Sequence, residues 1–191
     1  MEDSDTVTIP DFGSLVLLPA SSDQLALVVA DALRGWAGPA LYTATIDPTM
    51  SDTAAFCAHY DVPQSASANC VILSGKRDGQ VRWAAAVVLA TTRADVNGMI
   101  RRHLDVRKVS FGSMEEAVQL TGMEYGGITP IGLPLGWPIL IDSAVTRAGL
   151  VVIGAGIRRS KIVIDGAALA DLPGAQVLEG LAQPIQAAER P

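Results

Sequence analysis

The stretch "ANCVILSGKRDGQVRWAAAVVLA", Ala68 to Ala90, constrains the fold more than any other part of the chain. Two long runs of strand-forming residues flank a short polar turn, "GKRDGQ", which is the pattern of a β-hairpin. The second run is apolar on both faces from Ala84 to Leu89. A strand that offers no polar face to water has to lie inside a sheet covered on both sides, so this one is predicted to be central.

The segments around the hairpin alternate between strand and helix patterns. "SLVLLP" (14–19) and "ALYTATI" (40–46) read as strands, and "SSDQLALVVADALRG" between them reads as an amphipathic helix with Ser21 or Ser22 as cap and Gly35 as stop. "DPTMSDTAAFCAHYDVP" predicts a helix that ends before Pro63. After the hairpin, "TRADVNGMIRRHLD" predicts a helix with Asp95 near its start and basic residues in its last turn, and "RKVSF" a short strand. "SMEEAVQLTG" carries a capping box, Ser113 with Glu116, and Gly122 as its stop. "WPILIDSAV", "GLVVIGAG" and "SKIVID" read as three strands, "GAALADLPG" as a helix and "AQVLEG" as a strand, with "LAQPIQAAERP" a loose tail. Long antiparallel strands with interspersed helices predict an α+β domain rather than a parallel βαβ sheet.

Composition excludes several classes. At 191 residues and 49% hydrophobic content the chain has ample material for a core. Its longest apolar run, Trp83 to Ala90, is far short of the roughly 20 residues that span a bilayer, and the acidic opening "MEDSDTVTIPD" lacks the positive start of a signal peptide. A cytoplasmic protein is predicted. Cys57 and Cys70 stand apart from each other and from metal-ligand spacing, so they are expected to be reduced, buried thiols. Charge is uneven: nine acids face Arg34 alone up to Asp61 (net −8), then thirteen Lys or Arg face eleven acids (net +2). A phosphate-contacting face is compatible with the second part, and solvated surface charge is the simpler account.

The usual catalytic constellations are missing from the sequence. There is no GxSxG elbow, His59 and His103 sit in predicted helices, and Glu115 and Glu116 fall in a first helical turn, where acids are favoured by the backbone alone. Gly154-x-Gly156 follows a strand, but Arg159 takes the place of the third glycine of a dinucleotide motif and another strand follows, so a tight hairpin turn is the better reading. What stands out is Thr121 to Asp142, "TGMEYGGITPIGLPLGWPILID", with five glycines and three prolines. Such a rigid loop is either a structural corner or a binding surface, and in a cleft its N–H groups can hold a carboxyl, a phosphate or a developing oxyanion without an ionisable side chain.

Taken in order, "YDVP", the hairpin, "TRADVNGMIRRHLDVRKVSFGSMEEAVQLTG", "LTGMEYGGITPIGLP", "WPILID", "VVIGAGIRRSKIVID" and "ALADLPGAQV" resemble the YbaK/prolyl-tRNA-editing superfamily of aminoacyl-tRNA deacylases. The resemblance runs from about Asp47 to Val177. It implies an α+β fold with a mixed, strongly curved β-sheet or barrel and surrounding helices. Residues 47–191 would form the deacylase domain and 1–46 an acidic strand and helix appendage packed on it. The implied activity is hydrolysis of a mischarged small amino acid from tRNA, by water or a substrate group, with no cofactor and no metal. The implied partners are the aminoacylated 3′ end of tRNA and an aminoacyl-tRNA synthetase, with the chain a monomer or homodimer.

Residue by residue, the resemblance puts Gly127 and Thr129 at the catalytic centre. It gives substrate binding to Gly126, Ile128, Pro130 and Gly132 on the loop, with Gly154, Gly156 and Arg158 in the facing turn. Asn69 occupies the position where the family typically carries a lysine. Lys76 lies seven residues on, roughly 20 Å along an extended strand, and is a poor substitute. Either Arg93 or Arg158 supplies the charge from another strand, or the chain has a different substrate or a weaker activity. A non-catalytic binding module for a nucleotide, an aminoacyl derivative or a protein partner is the alternative, and a purely structural oligomer a third.

Overall fold

A computed structural model describes residues 12–185. The acidic opening up to Asp11 and the end of the C-terminal tail lie outside the described residues. The chain starts with a two-residue strand β1 (Leu18–Pro19), a 3-10 turn and helix α1 (Leu27–Ala32), followed by β2 (Tyr42–Thr45). Helix α2 (Thr53–Tyr60) starts where Asp52 accepts the Ala54 and Ala55 N–H groups and ends at left-handed Asp61. The predicted hairpin follows as β3 (Ala68–Arg77) and β4 (Gln80–Leu89), reversed at Asp78 and Gly79, both at positive φ.

Strand β5 (Thr92–Ala94) leads to a helical segment that opens as a π-turn at Val96–Ile100 and continues as α3 (Arg101–His103). Asp95 caps it by accepting the Gly98 and Met99 N–H groups. After β6 (Val109–Phe111), helix α4 (Met114–Thr121) has the full capping box between Ser113 and Glu116 and stops at left-handed Gly122. Beyond the glycine loop come β7 (Ile139–Asp142), α5 (Ser143–Arg147), β8 (Leu150–Gly154), β9 (Ser160–Asp165), β10 (Ala175–Leu178) and β11 (Ala182–Pro184).

The strands form a five-stranded sheet in the order β10-β7-β4-β3-β6, a four-stranded sheet β1-β2-β9-β8 and a two-stranded pair β11-β5. As predicted, β4 is the middle strand, and Ala84 to Val87 have no exposure to solvent. It pairs antiparallel with β3 and parallel with β7, so the large sheet is mixed. A parallel bridge between Ser67 and Val152 joins the two larger sheets at one corner, and no closed barrel is found among the described residues.

One core unites the sheets: Val87, Ile139 and Ile141 of one pack with Val151, Ile153, Ile162 and Ile164 of the other. Burying each such side chain stabilises the fold by about 1.5–3 kcal/mol. Val29 of α1, Val145 of α5 and Leu169 extend this core. Helix α2 covers the other face of the four-stranded sheet, where Phe56 is fully buried against Ala44, Val152 and Val163.

Three expectations are corrected. "WPILIDSAV" is a strand only to Asp142, whose carboxylate accepts the Ala144 N–H and starts α5. The helix expected from Ser21 begins at Leu27, because the Ser21 hydroxyl donates to Asp23 and the Ala26 N–H goes to the Ala155 carbonyl in the β8–β9 turn. The tail is tied down over Ala182–Pro184, which pair with β5.

Candidate functional site

The glycine loop is held from three directions. At its start, Thr121 donates to the Ala117 carbonyl and accepts the Met123 N–H, and the Glu124 N–H donates to the Gly156 carbonyl. In the middle, the Gly156 N–H donates to the Gly127 carbonyl at 2.7 Å, locking the loop to the turn between β8 and β9. At its end, Trp137 stacks on Trp83 of β4 with ring centroids 5.3 Å apart. A Cβ on Gly154 would lie 2.3 Å from the Gly127 oxygen, so glycine is required there by the close approach of two backbones. Gly126 has φ +89°, and a Cβ there would lie 2.9 Å from the Ser51 hydroxyl.

A cavity of about 520 Å³ opens between this loop and the start of the hairpin. Gly126, Ile128 and Gly154 form one wall, and Asn69 and Cys70 of β3 another. Ser51, Asp52 and Thr53 at the head of α2 contribute a polar end, while Ile72, Phe111 and Ala117 make an apolar one. Among the described residues neither the Gly126 nor the Ile128 N–H donates to a protein acceptor. Burial pushes the Cys70 thiol up to about 12, so it is protonated and unreactive near neutral pH. Neither histidine lines the cavity, and no cluster of three or more His, Cys, Asp or Glu suited to a metal occurs among the described residues.

The structure thus brings Asn69, Gly126, Ile128 and Gly154 to one cavity. Arg158 lies beside them: it donates to the Pro48 carbonyl at 3.0 Å and reaches the Tyr125 carbonyl, and its backbone N–H donates to Glu124. The other expected residues are elsewhere. Arg93 stands on β5, opposite Gln183 of β11, and does not line the cavity. Gly127 and Thr129 lie behind the wall: Gly127 packs on the Ile157 backbone, and the fully buried Thr129 hydroxyl has no partner. Gly156 packs against Ala26 and Val29, while Pro130 and Gly132 border a second, apolar cavity of about 640 Å³ with Trp36 and Leu135. The loop thus divides along its length: Tyr125, Gly126 and Ile128 line the first cavity, and Pro130 to Gly136 line the second.

Lys161, which the sequence reading passed over, lines the first cavity from β9 and is 7% exposed. Its Nζ donates to the Ser51 carbonyl at 3.1 Å and lies 5.1 Å from the centre of the Phe56 ring. Burial lowers its pKa from 10.5 to about 8, and nearby Cys57 and Asp52 offset that only in part. The signal was present: a single lysine in "SKIVID", a strand otherwise apolar through Ile164.

Comparison with known proteins identifies the architecture. The model of the aminoacyl-tRNA editing domain family matches residues 47–172. The chain belongs to this family. Two solved structures share its fold. The hypothetical protein APE2540 is 20% identical, with a TM-score of 0.70 over 82% of this chain and 99% of that one. A candidate trans-editing enzyme for prolyl tRNA synthetase is 21% identical, with a TM-score of 0.68 over 84% of this chain and 98% of that one. No curated protein matches the sequence. In this editing-domain chain the family match begins at Asp47, two residues after the end of β2, and no helix among the described residues is long and apolar enough to cross a membrane.

Proposed function

We propose that this chain is an aminoacyl-tRNA deacylase acting in trans, which hydrolyses the ester of a mischarged small amino acid at the 3′ end of tRNA. The observation that carries this reading is the cavity bounded by Gly126, Ile128 and Gly154, with two loop N–H groups free of protein acceptors and no activated side-chain nucleophile beside them. Its volume suits an aminoacyl-adenosine end. The Gly126 and Ile128 N–H groups are the donors for the oxygen that gains charge when the ester carbonyl is attacked. Water, oriented by a hydroxyl of the substrate, adds to the carbonyl carbon and gives up a proton. The bond to the ribose oxygen then breaks, and that oxygen leaves as a hydroxyl after taking a proton. The apolar end at Ile72, Phe111 and Ala117 accommodates a short aliphatic side chain.

On this reading the protein works in the cytoplasm, with tRNA as its main partner and an aminoacyl-tRNA synthetase as the source of mischarged substrate. Residues 47–191 carry the site, and the acidic segment before them repels an RNA backbone, so the acceptor end approaches from the opposite side. The test is release of labelled amino acid from a panel of mischarged tRNAs. Release above the uncatalysed rate for at least one small amino acid is expected; none for any member of the panel would refute the activity and favour a binding module.

A further inference from the structure

We propose that Lys161 is the charged residue that contacts the ligand in this cavity, its ammonium donating to an anionic oxygen of the bound molecule. The assignment rests on the reading of the cavity as the substrate site. Lys161 is flanked along β9 by buried Ser160, Ile162, Val163 and Ile164, and an ammonium in such surroundings destabilises a fold unless it is paired. It makes no ion pair among the described residues. The nearest carboxylate to act on it, Asp52, is engaged in capping α2 through Ala54 and Ala55. Of its three N–H donors the Ser51 carbonyl takes one, and the Phe56 ring offers a face rather than a counter-charge.

The other cationic candidates are committed. Arg158 is bound to backbone carbonyls at Pro48 and Tyr125, and Arg93 is on a separate two-stranded sheet. Among the described residues Lys161 is the one Lys or Arg lining the cavity. Asn69, which also lines the cavity, is neutral, and its carbonyl oxygen accepts the Thr53 hydroxyl. A buried, uncompensated cation at a cavity wall is arranged for a negative partner that arrives from outside. Two groups of an aminoacyl-tRNA end fit that description: the phosphate of the terminal nucleotide, and the ester carbonyl oxygen as it becomes an oxyanion.

The experiment compares wild type with Lys161→Met, both shown to melt cooperatively, for binding of 5′-AMP and of adenosine and for deacylation kinetics. If the phosphate is the partner, wild type binds 5′-AMP at least about tenfold more tightly than adenosine, because charge-assisted contacts are the strong ones, and the variant loses the preference. In wild type alone the preference then also declines above pH 8 as Lys161 loses its proton; Asp52, Cys57, Cys70 and Tyr125 are the other titratable groups around it. If the oxyanion is the partner, 5′-AMP and adenosine bind alike, and the variant loses about 100-fold or more in kcat with KM unchanged. A variant equal to wild type in both the 5′-AMP preference and kcat overturns the assignment while leaving deacylation standing. A Lys161-dependent preference in a wild type that releases no amino acid from any tRNA keeps the assignment and removes the deacylase reading. Neither preference nor release in wild type overturns both.

Discussion

Replacing Lys161 with methionine keeps a flexible side chain of similar length at a position that is 7% exposed and removes its charge. In wild type the folded chain holds this lysine at a pKa of about 8 against 10.5 for the free side chain, chiefly through burial. That gap corresponds to about 3 kcal/mol of destabilisation while the group is charged. Methionine also forgoes the hydrogen bond to the Ser51 carbonyl, worth about 1 kcal/mol. The net expectation is a variant more stable by about 2 kcal/mol at pH 7, or a Tm higher by about 4–8 °C for a chain of this size. The pH signature follows from linkage. Below pH 8 the lysine is protonated in both states and the penalty is complete. Between about 8 and 10.5 the folded state has lost the proton that the unfolded state still holds, so wild-type stability rises with pH; above 10.5 the penalty is gone. Urea unfolding of both proteins at pH 7, 9 and 10.5 measures this directly. A variant less stable than wild type at pH 7, or a difference that does not change with pH, would refute the picture of a buried, uncompensated ammonium.

Three other substitutions probe the frame around the cavity. Gly154→Ala puts a methyl group against the Gly127 and Ile128 carbonyl oxygens, so it should cost about 1–3 kcal/mol in chemical denaturation and reduce deacylation at least tenfold by shifting the loop. Asp142→Ala removes the acceptor of the Ala144 N–H at 2.9 Å and of the Ala182 N–H at 2.8 Å; a loss of about 2–3 kcal/mol is expected, with faster amide exchange across β11 and β5. Ser113→Ala breaks the capping box of α4 and should lower stability by about 1 kcal/mol in the same measurement.

Where local chemistry decides, the sequence was a good guide. The hairpin, the position of Asp95 at a helix start, the capping box and the Gly122 stop are each set within a few residues, and each is present in the structure. Ordered motifs along two thirds of the chain were likewise enough to place it in its family. Elsewhere tertiary contacts overrode local signals. "ILIDSAV" suits a buried strand or a buried helix equally, and only the capping bond of Asp142 separates β7 from α5. Strand β11 is three residues long, and its partner lies some 90 positions earlier, so nothing local announces it. The start of α1 is fixed by the Ala155 carbonyl, more than a hundred residues away.

The site divided in the same manner. The glycine loop was identified as a wall, but which of its residues face the cavity depends on how the loop sits against the β8–β9 turn. Gly126 and Ile128 do, whereas Gly127 and Thr129 pack behind them. Charge was sought in Arg93 and Arg158, while the structure places Lys161 of β9 at the wall. Its pairing with Ala44 and Gly154 carries it there, a long-range register that periodicity does not encode.

The most direct test of the account is a crystal structure with a non-hydrolysable aminoacyl-adenosine, the ester oxygen replaced by nitrogen. The account predicts that the ligand occupies the cavity between Gly126, Ile128, Gly154 and Asn69, with its carbonyl oxygen within hydrogen-bond distance of the Gly126 or Ile128 N–H. Density instead in the apolar cavity beside Trp36 and Leu135, with the first cavity empty, would contradict it.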